Sequence, residues 1–217
     1  MYSSPINTEK FSFSCGIPAR ITLTDNSPAS VLIEGCASMR ELIILSGEKD
    51  EQFFSINSRG GRWPHPPLTI TIALGGVSLR ALDLLAVSCK LSAQAPIKVG
   101  AVRINLTGGD LRLDEMVRCE NARISMVKAT AHVALNCSGN LSLHCVGTKC
   151  VLVWPELQRG VDLSWVASRV EVHGTRYSGI GHMRYPGSGR LATLRLGAVD
   201  SRIDVVPPST ECFAEGV

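Results

Sequence analysis

Aromatic and charged side chains are both scarce in this sequence of 217 residues, at 5% and 19% of the chain. Disordered chains are rich in charge and poor in β-branched residues, whereas Val, Ile, Leu, Ser and Thr fill most of this sequence. No run approaches the roughly 18 consecutive apolar residues that a transmembrane helix needs. A disordered chain and a membrane-spanning helix are therefore excluded, and a soluble, β-rich domain remains.

The N-terminus lacks the basic region and the apolar stretch of a secretory signal, so we expect a cytoplasmic protein. The net charge of +3 is small. Binding to nucleic acid or to a membrane surface usually shows as a concentrated basic stripe instead. We therefore expect no nucleic-acid partner.

Eight cysteines are present, which is compatible with four disulfides. The chain is longer than the small secreted domains that depend on disulfides, so we expect free thiols buried as small apolar side chains. The alternative is a metal site formed by Cys137, His144, Cys145 and Cys150. Because strand alternation places His144 on the opposite face from Cys145, we expect no metal and no cofactor.

Short segments in which apolar and polar residues alternate dominate the sequence. Such segments are typical of strands with one buried face. The clearest examples are 68–72, 102–106, 122–126, 133–137, 141–145, 161–165, 170–172 and 203–205. The best helix candidate, 77–87, follows two glycines and reads equally well as two strands.

From residue 102 onward, two predicted strands recur about every 20 residues, and apolar residues match at this period. The matching columns are Leu82, Val102 and Ala122; Leu84, Ile104 and Ile124; Ala86, Leu106 and Met126; Leu111, Ala131 and Val151; and Leu113, Val133 and Val153. The period predicts an all-β, single-stranded β-solenoid (β-helix) with two strands per coil. A β-sandwich, which has strands at similar spacing, is the alternative.

The expected organisation is a single solenoid domain over residues 20–206, between an N-terminal segment, 1–19, and a C-terminal tail, 207–217. Its parts are irregular first coils over 20–67, regular repeats over 68–173, a loop excursion over 174–190 and last coils over 191–206. The loop is predicted from its five glycines, which interrupt the strand pattern.

The repeats resemble a known family. Residues 107–113 (TGGDLRL) show the pattern best, residues 137–143 (CSGNLSL) are a second copy, and residues 194–205 are a degraded third. These segments are similar to the bacterial putative-adhesin family of β-strand-repeat proteins, a domain of unknown function. The resemblance covers about residues 20–206 and implies the solenoid fold rather than an activity.

Four carboxylates, those of Asp110, Asp114, Glu115 and Glu120, cluster around one predicted strand end. A β-helical lyase or hydrolase needs such acids to converge in a cleft. These four lie mostly in predicted turns, where Asp and Asn tolerate the backbone geometry. No nucleophile motif occurs either, so we expect no enzymatic activity.

Two groups of residues are candidates for binding a partner. Asp83, Arg103 and Arg123 form an outward column that could hold an anionic group, and a solvated face with one weak ion pair is the alternative. The predicted loop supplies the second group, for which an ordinary surface excursion is the alternative. That group is Arg176, Tyr177, His182, Arg184 and Tyr185.

The sequence thus predicts a non-enzymatic, cytoplasmic β-solenoid that serves as a scaffold or protein-interaction module. We expect a protein partner or self-association, through the coil ends or the 174–190 loop. The alternative is a surface adhesin, or a carbohydrate-binding or carbohydrate-active β-helix protein.

Overall fold

The computed structural model describes residues 1–35, 43–48, 50–57, 68–154, 160–185 and 193–207, which form β-strands and turns without a helix. The strands are β1 (Tyr2–Pro5), β2 (Lys10–Cys15), β3 (Ala19–Thr24), β4 (Ser30–Glu34), β5 (Ile43–Glu48), β6 (Glu51–Ile56), β7 (Leu68–Ala73), β8 (Leu79–Ala93), β9 (Ile97–Cys137), β10 (Leu141–Val146), β11 (Lys149–Val153), β12 (Val161–Val172), β13 (Thr175–Tyr185), β14 (Leu194–Val199) and β15 (Arg202–Val206). The all-β prediction is confirmed, and segment 77–87 belongs mostly to strand β8. Within the described ranges, no helix could span a membrane.

Strands β8 and β9 pair in parallel, with each residue opposite the one 20 positions later. Leu82 lies opposite Val102, and Leu84 lies opposite Ile104, as the period predicts. Strand β10 continues the sheet in parallel with β9, placing Leu141 opposite Ala122. The apolar columns read from the sequence between residues 82 and 106 are therefore neighbours in the sheet.

The long strands bend at residues with positive φ. Lys128 in β9 has a φ of 52° and Ala167 in β12 has a φ of 48°. On one side of Lys128, β9 pairs with β10, and on the other side it pairs with β11. In the same way, β12 pairs with β14 before Ala167 and with β15 after it. Each of these strands therefore contributes two straight segments joined at a left-handed residue.

Six strands pair in a closed circuit, in the order β9, β10, β14, β12, β15, β11 and back to β9. All six pairings are parallel. One inward column is made of Ile124, Leu143, Leu196 and Leu163, which are successive neighbours in the register and at most 2% exposed. Apolar side chains stacked in this way form the core of the domain.

The order of the strands in space differs from their order in the chain. Strands β14 and β15, the last described, lie between β10–β11 and β12. Near the other end, β2 lies between β6 and β8, and β3 lies between β7 and β8. Both chain ends therefore contribute interior strands of the sheet.

The N-terminal segment predicted to lie outside the domain is part of it, because β2 pairs in parallel with β8. Phe11 and Phe13 of β2 are each only 1% exposed. Strands β1, β2 and β6 of the N-terminal region carry aromatic residues, and Phe13 stacks on Phe54 with ring centroids 5.6 Å apart. The predicted tail, 207–217, lies outside the described residues beyond Pro207.

The loop predicted over 174–190 is a strand over Thr175–Tyr185, which pairs antiparallel with β12. Residues 186–190 lie outside the described ranges. Gly181 has a packing role, because a Cβ there would lie 2.4 Å from the ring of Trp165. The tryptophan ring occupies the space that a side chain would need, so this glycine does not indicate a loop.

We expect Leu196→Ala to lower the free energy of unfolding by about 2–5 kcal/mol, because it removes part of a closed apolar column. Val199→Ala on the same strand is the control, since Val199 is 44% exposed, and its expected cost is below about 1 kcal/mol. Urea unfolding measures both. If Leu196→Ala lowers the free energy of unfolding by less than about 1 kcal/mol, then strands β14 and β15 are poorly ordered, as chain termini often are.

Gly109 has a φ of +96°, and a Cβ there would lie 2.0 Å from the carbonyl oxygen of Cys89. We expect Gly109→Ala to lower the free energy of unfolding by more than the roughly 3 kcal/mol that is the upper range for most single substitutions. Gly174→Ala is the matched control, since Gly174 has a φ of +86° with nothing within 4 Å. Gly174→Ala should lower the free energy of unfolding by only the roughly 1–2 kcal/mol that a non-glycine residue costs in the left-handed conformation. Equal costs in thermal or urea unfolding would contradict the close stacking at Gly109.

Candidate binding groove

The described cysteines are free and buried, as the sequence predicts for thiols that fill the core. Cys36 and Cys212 lie outside the described residues. His144 faces away from the core and its Nε2 lies 3.1 Å from the Ser142 hydroxyl, whereas Cys145 is 1% exposed. Alternation therefore separates His144 from the thiols with which it could have formed a metal site.

The predicted carboxylate cluster does not converge on a cleft. Asp114 accepts a hydrogen bond from Arg112 at 2.7 Å and lies 3.0 Å from His132. Asp110 forms an ion pair with Lys90 at 3.6 Å. The side chain of Glu115 lies outside the described set. Asp110 and Asp114 are therefore paired with basic groups on their own or neighbouring strand segments.

The predicted arginine column continues across the sheet further than the sequence indicated. Asp83 lies opposite Arg103, and Arg123 lies opposite Ser142. The column then passes to Arg195, to Asp162 and to Arg184. Arg123, Arg195 and Arg184 therefore lie in one register column, on every second strand, and Asp83 with Arg103 forms a separate pair.

A groove of about 490 Å³ lies along the first part of this column. Its lining includes the small side chains of Ala81, Ala101 and Ala122. Its charged residues are Lys10, Arg103, Arg123, Arg195, Glu51 and Asp83. Cations thus outnumber acids by four to two in this groove.

A second depression, of about 840 Å³, lies beside the groove, since Gly100 lines it and Ala101 lines the groove. Its charged residues are Arg80, Lys98, Arg118 and Glu120. Cations outnumber acids by three to one in this depression, although Arg80 also forms an ion pair with Glu9 at 2.8 Å, while the whole chain has a net charge of only +3. The modest net charge therefore conceals a local concentration of positive charge.

The cations of the groove differ in how they are neutralised. Arg103 forms an ion pair with Asp83 at 3.8 Å, and its side chain is 58% exposed. Arg123 and Arg195 are exposed, and neither has a carboxylate within ion-pair distance among the described residues. The groove therefore offers two guanidinium groups that are free to bind an anion.

The residues predicted on the 174–190 loop divide into two sets. Arg176 forms a 2.7 Å ion pair with Glu171, and Tyr177 packs on Trp165 with ring centroids 5.3 Å apart. These contacts hold β13 against β12, so we assign both residues a structural part. The other set lies on the outward face near the end of the arginine column.

His182 belongs to that second set and lies 2.9 Å from Asp162, and Arg184 is the exposed residue opposite Asp162. Tyr185 lies opposite Val161 in the register, and its side chain is not described. The structure therefore does not gather the five loop residues into one site.

Sequence reasoning missed Arg195 and Lys10. Reading 20 residues on from Arg123 leads to the region of Ser142, and no period leads from there to Arg195. Strand β14, which carries Arg195, reaches its place by a long-range insertion. The alternating segment Leu194-Arg195-Leu196 is visible in the sequence, but its neighbours are not.

The solved structures that resemble this chain include two bacterial proteins. A putative cell adhesion protein from Clostridium sporogenes shares 11% identity, with 95% of this chain and 98% of that chain covered and a TM-score of 0.48. A putative adhesin from Bacteroides fragilis shares 12% identity, with 94% and 96% covered and a TM-score of 0.34. No family model and no curated protein matches the chain. These TM-scores are too low for either likeness to carry an argument.

The hydrogen bond from Arg176 holds the pKa of the Glu171 carboxyl below its ordinary value. A carboxyl with a lowered pKa in the folded state stabilises that state above its unfolded pKa, about 4.3, and this contribution is lost as the pH falls through the lower folded value. We therefore expect the contact between β12 and β13 to weaken below about pH 4. Hydrogen exchange at the Arg176 guanidinium, followed by NMR against pH, measures this. Glu171→Gln should abolish the dependence, and an unchanged profile in that variant would contradict the assignment.

Proposed function

We propose that the protein is a non-enzymatic β-solenoid that acts in the cytoplasm as a protein-interaction module. Its partner is an extended, acidic segment of another protein, which binds along the basic groove. The observation that carries the proposal is the pair of exposed arginines, Arg123 and Arg195, that lack carboxylate partners in the described structure.

The solenoid interpretation is supported by strands that pair with one neighbour along their first part and with another along their second part. Strand β9 pairs with β10 through residues 122–127 and with β11 through residues 130–134. Strand β12 does the same with β14 and β15. In this interpretation the closed circuit is a stack of coils, each with one strand on either face. Register offsets of 20 between β8 and β9, and of 19 between β9 and β10, are the lengths of single coils.

The stacking of coils sets the spacing of the binding groups. Neighbouring strands lie about 4.8 Å apart, and Arg123 and Arg195 are separated by the strand that carries Ser142. The two arginines therefore stand about 10 Å apart along the groove. In an extended peptide, side chains on one face recur about every 6.6–6.8 Å, so acids two or four positions apart reach both arginines through their flexible side chains.

An acidic protein segment suits this groove for two reasons. The guanidinium group binds carboxylates through two parallel hydrogen bonds, which adds geometric specificity to charge attraction. Small side chains, such as those of Ala81 and Ala101, are part of the lining of the groove and leave room for an extended backbone. An anionic partner also neutralises the excess of positive charge on this face.

Fluorescence anisotropy with a labelled peptide of alternating Glu and Ser tests the proposal. We expect saturable binding that weakens as salt is raised, because exposed charges are screened. The double variant Arg123→Ala, Arg195→Ala should weaken binding by roughly tenfold or more for each arginine removed. Circular dichroism should show that the strand content is unchanged, since both side chains are exposed.

Arg112→Ala is the matched control, because Arg112 is exposed, lies outside the groove and is already paired with Asp114. Its peptide binding should equal that of the unmodified chain. Equal weakening in the control and the double variant would show general charge attraction and contradict a defined groove. Binding of a sulfated glycan without binding of the acidic peptide would contradict the protein-interaction proposal.

A further inference from the structure

We propose that a small-molecule disulfide can oxidise the buried thiols of this chain at three defined sites. The three pairs are Cys15 with Cys89, Cys119 with Cys137, and Cys145 with Cys150. The proposal is independent of the basic groove, since none of its evidence involves an arginine of that groove. In a reducing compartment the pairs remain thiols, as they are in this structure.

The pair Cys15 and Cys89 is held together by a shared acceptor. Each Sγ atom donates a hydrogen bond to the carbonyl oxygen of Ile17 at 3.3 Å, and the two thiols also contact each other. Strand β3, which follows Ile17, pairs with β8 directly after Cys89, with Arg20 opposite Lys90. The two cysteines therefore lie at one bend of the chain, on neighbouring segments, with both side chains directed inward.

The pair Cys119 and Cys137 lies at another bend. The backbone N–H of Ser138 donates to the Cys119 carbonyl at 3.0 Å, and the Cys137 thiol donates to the Glu120 carbonyl at 3.3 Å. These bonds place the two cysteines on adjacent strand segments, which in a sheet lie about 4.8 Å apart. That separation falls within the roughly 4.4–6.8 Å between the Cα atoms of natural disulfides.

The pair Cys145 and Cys150 flanks a single turn. Cys145 lies opposite Met126 in the pairing of β10 with β9, and Cys150 lies opposite Ala131 in the pairing of β11 with β9. The left-handed residue Gly147 lies between them, with a φ of 58°. Both side chains are at most 3% exposed, and the two thiols contact each other.

The chemistry is thiol–disulfide exchange. The contact between the two thiols lowers the pKa of the Cys89 thiol and raises the pKa of the Cys15 thiol. Cys89 therefore attacks first as the thiolate, breaking the S–S bond of oxidised glutathione and releasing one glutathione thiolate. The Cys15 sulfur then displaces the second glutathione and forms the Cys15–Cys89 bond. Two protons and two electrons leave the cysteines, and one oxidised glutathione becomes two reduced ones.

The experiment is a peptide map of the full chain after equilibration in a mixture of oxidised and reduced glutathione. Free thiols are then alkylated, and the protein is digested without reduction and analysed by mass spectrometry. A parallel sample is refolded from urea in the same mixture, so that slow access to buried sulfurs does not limit the reaction. We expect the same three linked pairs in both samples, with Cys36 and Cys212 alkylated. The urea midpoint should rise on oxidation, because each bond constrains the unfolded chain.

Mixed pairings among the six cysteines, glutathione adducts on them, or six alkylated thiols after refolding would each overturn the proposal. Cys15→Ala tests the assignment of partners, since it should leave Cys89 unlinked and the other two bonds intact. Cys89→Ala is the reciprocal variant, and a new partner for the remaining cysteine in either variant would contradict the pairing. The peptide map of the unmodified chain decides the proposal even where a variant folds poorly.

Discussion

Parallel pairing in register is the constraint on which the rest of this structure depends. When strands stack in parallel without a shift, each inward residue lies directly on another inward residue, so every position in a column must be apolar. Ile124, Leu143, Leu196 and Leu163 satisfy this requirement on four successive segments. A one-residue slip would turn all of these side chains outward, so the buried columns hold the register.

The same constraint explains both the composition and the candidate sites. Val, Ile, Leu, Ala and Cys fill most of the interior, and the buried rings of Phe11, Phe13 and Phe54 lie in strands β2 and β6. Cysteines at the bends then meet each other inside, as Cys15 and Cys89 do. Outside, charged side chains stack as closely as apolar ones do inside. Ser142 lies between Arg123 and Arg195, and Asp162, on the other side of Arg195, contacts His182 at 2.9 Å instead.

The sequence predicts the local part of this fold well in β8 and the first half of β9. The predicted columns that match Ala131 with Val151 and Val133 with Val153 are wrong by one residue, since Cys150 and Leu152 lie opposite them. Alternation shows which residues face inward, and the 20-residue period predicts that Asp83 lies beside Arg103, where the structure has an ion pair. Arg123 could be proposed for the same column from its spacing alone.

The order of the strands could not be predicted, because it depends on pairings between residues far apart in the chain. Leu194 lies opposite both Leu141 and Val161. Many apolar strands of this length fit such a position, and nothing local to residues 194–199 selects it. Arg195 was missed for this reason. The loop predicted around Gly181 was wrong for a different reason, since the close approach of this glycine to Trp165 is a tertiary contact.

The place of β14 and β15 also determines when the domain can be completed during synthesis. Strand β12 pairs with β13, β14 and β15 in the described structure, and with no earlier strand. A nascent chain that ends before residue 193 therefore holds a finished sheet up to β10 and β11, followed by a β12–β13 hairpin with no sheet to join. Only when residues 193–207 leave the ribosome do β14 and β15 bridge the two parts. Residues 193–207 thus act as the closing element of the sheet.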